Sequence, residues 1–132
     1  MSLVLLDTDV VSFLIKGDSR TTLFAPHLLG NETSISLMTV AELLQWARVR
    51  RWSAQRTTDL EQYILRSHTI LTIDITTCRL WAAVRANAYQ QGRAISPQDA
   101  WIAATALQYG MPLLSYNQKD FQAIQGLNLI AV

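Results

Sequence analysis

The sequence has little of what marks several common classes of protein. Its 132 residues include one cysteine, Cys78, so an intramolecular disulfide cannot form and we expect a reducing compartment. No apolar run approaches the roughly 20 residues that span a bilayer, and the N-terminus has neither the basic segment nor the cleavage site of a secretory signal. These absences predict a soluble cytoplasmic protein without a membrane segment. Cys78 itself is expected to be a buried helix residue.

Other metal-binding and nucleophilic arrangements are also scarce. The two histidines, His27 and His68, are separated in sequence from every acidic motif, and with one cysteine they give no zinc-ligand spacing. No serine–histidine–acid arrangement is recognisable. The formal net charge is only +1, but residues 48–93 contain eight arginines against three acids, a local charge of about +5. This distribution allows a basic surface next to an acidic pocket.

The pattern of apolar residues predicts an α/β fold. Half of the residues are hydrophobic, and the length suits a single domain over residues 1–132. Apolar or β-branched runs predict strands at residues 3–6, 33–36, 68–73, 111–115 and 127–132, the last as a strand or a terminal tail. Helical patterns lie between them, at residues 9–16, 21–29, 39–50, 53–66, 76–91, 97–109 and 119–124. This alternation predicts a parallel sheet of about five strands flanked by helices on both faces, a three-layer α/β/α fold.

The first candidate site residue follows the first predicted strand. Residues 3–6 are Leu-Val-Leu-Leu and lead directly to Asp7. Thr8 or Asp9 can cap the helix that begins next. Open α/β sheets bind their ligands beyond the carboxyl ends of the strands, so Asp7 is expected at such a site.

Three more acids stand at predicted helix starts. Each follows a potential capping residue by three positions, the pairs being Thr39 and Glu42, Ser96 and Asp99, and Asn117 and Asp120. This is the capping-box spacing or its Asp variant, so each acid could serve only its own helix and its dipole. Alternatively, helix starts at one edge of a parallel sheet bring carboxylates together, and their repulsion would be costly without a cation. Such a pocket suits Mg²⁺ or Mn²⁺ and can activate water for attack on phosphorus.

Four motifs extend this interpretation. In chain order they are Leu-Leu-Asp-Thr-Asp-Val-Val-Ser, Ile-Ser-Leu-Met-Thr-Val-Ala-Glu-Leu, Ser-Pro-Gln-Asp-Ala-Trp-Ile-Ala-Ala-Thr-Ala and Leu-Leu-Ser-Tyr-Asn-Gln-Lys-Asp-Phe. Together they resemble the PIN domain family and, more narrowly, the VapC-type toxins of bacterial toxin–antitoxin pairs. The resemblance covers nearly the whole chain. It implies a PIN-like fold, a Mg²⁺- or Mn²⁺-dependent endoribonuclease, an RNA substrate, a cognate antitoxin and a homodimer.

The resemblance also implies roles for individual residues. Asp7, Glu42 and Asp99 match the three acidic positions, which hold metal and carry catalysis. The fourth position is open between two residues of the last motif: Asp120 supplies a charge, whereas Asn117 is a neutral ligand or only a cap.

Two further residues of the last motif differ in how well they match. Ser115 matches a position usually held by a small hydroxyl residue near the metal or the phosphate. Tyr116 stands where relatives commonly have arginine or another polar residue, which leaves substrate contacts there open. Outside that motif, Asp9 is expected to cap the first helix, and a supporting place beside Asp7 is the alternative.

A basic stretch follows the third predicted helix. Arg48, Arg50, Arg51 and Arg56 are candidates for RNA phosphate binding, and Trp52 could stack on a base. The alternative is a solvated helix end, where arginines suit the helix dipole.

Two other functions compete with the nuclease. A strand followed by Asp-x-Asp also resembles the first motif of haloacid-dehalogenase-type phosphatases, in which Asp7 would be a covalent nucleophile and Asp9 a general acid. No paired-Asp motif or well-placed lysine follows later in the chain. The second competitor is a catalytically inactive domain of the same fold that binds RNA or protein, although all of the acids are present.

Overall fold

The structure, a computed structural model, describes residues 2–132. Within them the strands are β1 (Leu3–Leu6), β2 (Glu32–Ser36), β3 (Thr69–Leu71) and β4 (Leu113–Leu114). The helices are α1 (Thr8–Lys16), α2 (Thr21–Leu28), α3 (Leu37–Val49), α4 (Ala54–Ser67), α5 (Ile75–Gln90), α6 (Pro97–Tyr109) and α7 (Gln118–Phe121). None of these helices combines the length and the apolar character needed to cross a bilayer.

The strands form one parallel sheet in the order β3-β2-β1-β4. This confirms the predicted parallel sheet flanked by helices, with four strands in place of about five. The predicted strand at residues 127–132 is reduced to a single bridge between Leu113 and Leu129. The side-chain amide of Gln118 donates hydrogen bonds to the carbonyls of Ser115 (2.7 Å) and Ile130 (3.2 Å). These carbonyls therefore bond to a side chain, and the ladder does not continue.

β1 lies inside the sheet and is buried on both faces. Val4 and Leu6 pack into one hydrophobic cluster and Leu5 into another on the opposite face, and none of the three is more than 2% exposed. Burying each of these side chains contributes about 1.5–3 kcal/mol. The apolar run thus fixes β1, and with it the position of Asp7 at its carboxyl end.

The helix caps agree with the capping pattern at only one of four sites. Ser96 caps α6 as predicted, because its hydroxyl accepts a 3.0 Å hydrogen bond from the N–H of Asp99. Asn117 makes no side-chain capping hydrogen bond to α7. At α1 the cap is Asp7, which accepts the N–H of Thr8 at 2.7 Å. The preferred role of Asp9 as that cap is therefore wrong.

The start of α3 also differs from the prediction. The capping residue is Ser36, whose hydroxyl accepts the N–H of Thr39 at 3.2 Å, whereas the capping pattern predicts Thr39. Ser36 and Thr39 are both good capping residues and stand three positions apart, so local preference does not separate them. The earlier start places Glu42 well inside the helix, free of any capping task. On α5, Cys78 is exposed rather than buried.

Candidate active site

Asp7 is the most deeply buried acid of the site, with 5% of its surface exposed. One carboxylate oxygen, Oδ1, accepts the Thr8 N–H, and the other, Oδ2, accepts the hydroxyl of Ser115 at 2.7 Å. The Asp7 N–H donates to the carbonyl of Leu114 at 2.9 Å. The start of α1 and the residue after β4 therefore each hold one oxygen of this carboxylate.

The surroundings of Asp7 disfavour its ionised form. Burial is the largest cause and raises the pKa of Asp7 well above its ordinary value. The negative charges of Asp9 and Asp99 raise it further, and the hydrogen bond from Ser115 opposes them. A cation at this position would favour the carboxylate instead.

The last motif forms a hydrogen-bonded chain that ends at Asp7. Ser115 is fully buried; its hydroxyl donates to Asp7 and accepts the N–H of Asn117 at 2.9 Å. The side-chain amide of Asn117 donates in turn to Oδ2 of Asp120. The structure thus connects three of the predicted site residues, Ser115, Asn117 and Asp120, to Asp7.

Glu42 reaches the site from α3 through two threonines. The Thr8 hydroxyl donates to Oε1 of Glu42 at 2.9 Å and lies 2.9 Å from the hydroxyl of Thr39. Since Thr8 has one proton and Glu42 accepts it, Thr39 must donate to Thr8. Burial raises the pKa of Glu42 and so does the charge of Asp9, while the hydrogen bond from Thr8 opposes them.

Asp99 lies in the first turn of α6 and is half-buried. Burial and then the charge of Asp120 raise the pKa of Asp99 to about 6, and Glu42 adds a smaller effect. Because Asp99 also raises the pKa of Asp7, the four predicted acids act on one another electrostatically. They form one acidic cluster, which we define as Asp7, Glu42, Asp99 and Asp120.

Asp9 lies beside this cluster. Its carboxylate accepts the N–H of Tyr116 at 3.4 Å, and its charge raises the pKa values of Asp7 and Glu42. Burial raises the pKa of Asp9 itself. The structure therefore places Asp9 next to Asp7, the alternative position, and away from the cap.

The oxygen atoms of the acidic cluster are suitable ligands for a hard divalent cation. They are carboxylate oxygens, with the hydroxyl of Ser115 nearby, and Mg²⁺ and Mn²⁺ prefer oxygen ligands. In their present conformations, no three acidic, histidine or cysteine side chains within residues 2–132 lie close enough together to hold an ion. Glu42 and Asp120 instead bond to Thr8 and Asn117, and these are the contacts that ion binding would have to share or replace.

The predicted RNA-binding arginines separate into two groups. Arg50, Arg51 and Arg56 line one groove with Trp52, whereas Arg48 does not line it. The same groove contains Ile15, Lys16, Trp46 and Ser53. Lys16 and Trp46 are absent from the sequence-based candidates, because α1 and α3 meet only in the folded chain.

Two threonines next to the acidic cluster, Thr8 and Thr39, have roles that the sequence pattern does not predict. Thr39 is predicted as a helix cap and Thr8 is one of two candidates for another, whereas the two hydroxyls bond to each other beside Glu42. A signal was present: Thr39 precedes Glu42 by three residues, which places both on one face of α3. The partner, Thr8, lies 31 residues from Thr39 in the chain and could not be found from local spacing.

The structure thus gathers acids beyond the carboxyl end of β1 in a parallel sheet, the edge at which open α/β folds bind their ligands. A model of the PIN domain family matches residues 4–127, and the chain belongs to this family. It is 30% identical over 131 residues to Ribonuclease VapC1 of Rickettsia felis, a match that covers 98% of this chain and 96% of the relative. The family assignment disfavours the phosphatase hypothesis with Asp7 as nucleophile.

Solved structures share the fold over almost the whole chain. One is the crystal structure of VapBC2 from Rickettsia felis bound to a promoter DNA fragment. It superposes on this chain with a TM-score of 0.82 and 22% identity, covering 97% of each chain. A toxin–antitoxin complex from Klebsiella pneumoniae superposes with a TM-score of 0.70 and 27% identity, covering 94% of each chain. These matches agree with the parallel sheet and the helix order described above.

Proposed function

We propose that this protein is a metal-dependent endoribonuclease that hydrolyses RNA phosphodiester bonds as the toxin of a toxin–antitoxin pair. The observation that carries the proposal is the acidic cluster, in which burial and the charges of neighbouring carboxylates, Asp9 among them, raise the pKa values of Asp7, Glu42 and Asp99. Membership of the PIN domain family and the likeness to Ribonuclease VapC1 support the same activity.

Asp7, Glu42, Asp99 and Asp120 are the residues that would hold Mg²⁺ or Mn²⁺. When bound, the ion supplies an activated water for in-line attack on phosphorus and neutralises the charge that develops there. No side-chain nucleophile is required in this scheme. Ser115 orients the Asp7 carboxylate, Thr8 orients Glu42, and Asn117 orients Asp120 through the hydrogen bonds described above.

The proposed partners follow from the same assignment. The toxin–antitoxin complex from Klebsiella pneumoniae shares the fold, which supports a cognate antitoxin as the protein that neutralises this chain. A homodimer and an RNA substrate belong to the proposal as well. A nuclease with such a substrate and antitoxin would act in the cytoplasm.

Cleavage of RNA with and without EDTA tests the proposal. The purified protein should cleave single-stranded RNA in Mg²⁺ or Mn²⁺, lose that cleavage in EDTA, and regain it when excess divalent metal is restored. Cleavage that persists unchanged in EDTA would show that the reaction does not need the metal site. Mass spectrometry of the products, with phosphate at one new end and hydroxyl at the other, would identify phosphodiester hydrolysis.

A further inference from the structure

A groove with two tryptophans and four cations lies between α1, α3 and the start of α4. We call it the tryptophan–arginine groove and define it by Lys16, Trp46, Arg50, Arg51, Trp52 and Arg56. The two indole rings lie 5.1 Å apart. The Arg56 guanidinium lies over the Trp52 ring at 3.7 Å, and Arg50 and Lys16 lie 4.9 and 5.1 Å from the centre of the Trp46 ring.

The positive charge of this groove is not balanced by acids. No Asp or Glu lines it, and none of its four cations forms a salt bridge anywhere in residues 2–132. Lys16, Arg50 and Arg56 lie against the indole rings, which leaves their guanidinium and ammonium N–H groups free to bind an anion. The groove therefore suits a polyanion, and phosphates are the anions that Arg and Lys bind most readily in nucleic acids.

The groove continues towards the acidic cluster. A second groove is lined by Thr8 and Glu42 at one end and by Lys16 and Trp46 at the other, so the two grooves share the last two residues. Glu42 and Trp46 lie on α3, and Arg50 is its C-terminal cap. The three residues are spaced four apart and therefore lie on one face, about 12 Å from first to last. A chain that occupies the tryptophan–arginine groove can thus extend directly to Glu42.

We propose that the tryptophan–arginine groove binds single-stranded nucleotides that flank the scissile phosphate. Lys16, Arg50 and Arg51 contact phosphates, and an unstacked base lies on the Arg56 guanidinium, extending the Arg56–Trp52 stack. Bases stack on both aromatic rings and guanidinium planes, and this recognition requires a base that is not paired in a duplex. The inference rests on the proposed ribonuclease function, whose substrate it specifies as unpaired RNA.

Binding of a short fluorescein-labelled single-stranded RNA, followed by anisotropy in EDTA so that no cleavage occurs, tests this inference. The double variant Arg50→Gln/Arg56→Gln should bind at least tenfold more weakly than the unchanged protein. Its slope of log affinity against log salt should fall by about 0.7, since one phosphate contact, that of Arg50, is lost. Arg66→Gln/Arg79→Gln removes the same charge from exposed positions outside the groove and should bind as the unchanged protein does.

A conservative change separates stacking from charge. Arg56→Lys keeps the positive charge but removes the planar guanidinium, so the salt slope should stay constant while the affinity falls about fivefold or more. Equal affinities of Arg50→Gln/Arg56→Gln and its control would overturn the inference. Binding of duplex RNA or of an oligoglutamate peptide as tightly as single-stranded RNA would overturn it too, because the groove would then recognise charge or an acidic protein segment.

Cleavage assays in Mg²⁺ separate this inference from the proposed function. If the unchanged protein cleaves RNA and the groove variant cleaves and binds as its control does, the groove inference fails and the nuclease stands. If the unchanged protein binds RNA through Arg50 and Arg56 but never cleaves it, the groove inference stands and the nuclease fails.

Discussion

The hydroxyl of Ser115 donates a 2.7 Å hydrogen bond to the Asp7 carboxylate, although the two residues are 108 positions apart in the chain. Both side chains are buried, and β1 and β4 are paired in parallel immediately before them. This bond joins the first and last motifs and stabilises the charged form of Asp7 against its buried surroundings.

Ser115→Ala should therefore weaken both the fold and the activity. It removes a buried donor from Asp7 and an acceptor from the N–H of Asn117, a loss of about 1–3 kcal/mol in the free energy of unfolding. Because the bond lowers the pKa of Asp7, its removal raises that pKa. The acid limb of the pH–rate profile for RNA cleavage should move to higher pH. Urea denaturation and cleavage rates across pH measure the two effects.

Ser34 provides the matched control for this change. It is as deeply buried as Ser115, but its hydroxyl has no hydrogen-bond partner among residues 2–132. Ser34→Ala should not lower the free energy of unfolding, because it removes a buried hydroxyl that makes no hydrogen bond, and it should leave the pH–rate profile in place. Equal losses in both variants would mean that the Ser115–Asp7 bond has no special role.

The stability of the metal-free protein should fall as the pH rises. Burial and like charges raise the pKa of Asp99 to about 6 and raise those of Asp7 and Glu42, so these three carboxyls bind more protons in the folded protein than in the unfolded chain. By proton linkage, the free energy of unfolding in EDTA must fall between about pH 4 and pH 6. Urea denaturation should show this as one cooperative transition, as expected for a single domain.

Two comparisons test the origin of this pH dependence. Asp99→Asn should reduce the fall and raise the unfolding free energy at pH 7 by about 1 kcal/mol, a value that allows for the half-exposed position of Asp99. Asp59→Asn, an exposed acid on α4, should leave the fall unchanged. Excess Mg²⁺ should restore the stability at pH 7, because it binds only the folded state. Stability that rises through this pH range would contradict the account.

Thr8→Val should reduce cleavage through Glu42. The substitution keeps the branched shape but removes the proton that the Thr8 hydroxyl donates to Glu42, and it leaves Thr39 without its acceptor. We expect a fall of about tenfold in kcat, which corresponds to about 1.4 kcal/mol, with little change in KM. Thr8→Ser retains the hydroxyl and should recover most of the rate, so equal rates for the two variants would exclude a positioning role.

Asp120 should contribute more to metal binding than Asn117. In the structure the Asn117 amide donates to Asp120, which suits a residue that orients a ligand. Asp120→Ala should abolish measurable Mg²⁺ binding at this position, whereas Asn117→Ala should weaken binding about 10–100-fold, as is usual for residues that orient a ligand. Titration calorimetry measures both affinities, and a greater loss in Asn117→Ala would assign the fourth position to Asn117.

The location of Asp7 could be predicted from the sequence because one physical rule suffices. A continuous apolar run forms a strand buried on both faces, and the residue after it lies at the ligand-binding edge of a parallel sheet. Glu42 lies on α3, the helix that follows β2, and is expected at the same edge because helix starts after parallel strands meet there. Ser115 directly follows β4, but its expected place comes from the resemblance to the PIN domain family. Asp99 follows another helix, α5, so this rule does not place it, and the resemblance to the PIN domain family carried that prediction.

The remaining features depend on contacts between distant residues. Ser36, and not Thr39, caps α3. The Thr39 hydroxyl is instead hydrogen-bonded to Thr8 of α1. The fifth strand is shortened by the Gln118 amide, and the tryptophan–arginine groove requires Lys16 of α1 to reach Trp46 of α3. Capping preferences and hydrophobic periods are local, and none of them contains information about these partners.

The most direct test of the acidic cluster is RNA cleavage by Asp7→Asn and Asp99→Asn in saturating Mg²⁺, with circular dichroism to verify that both variants are folded. Each substitution keeps the shape of the side chain and removes a carboxylate charge from the proposed metal site. The account predicts that each lowers the single-turnover rate by roughly a hundredfold to a thousandfold. Undiminished cleavage by both folded variants would contradict it.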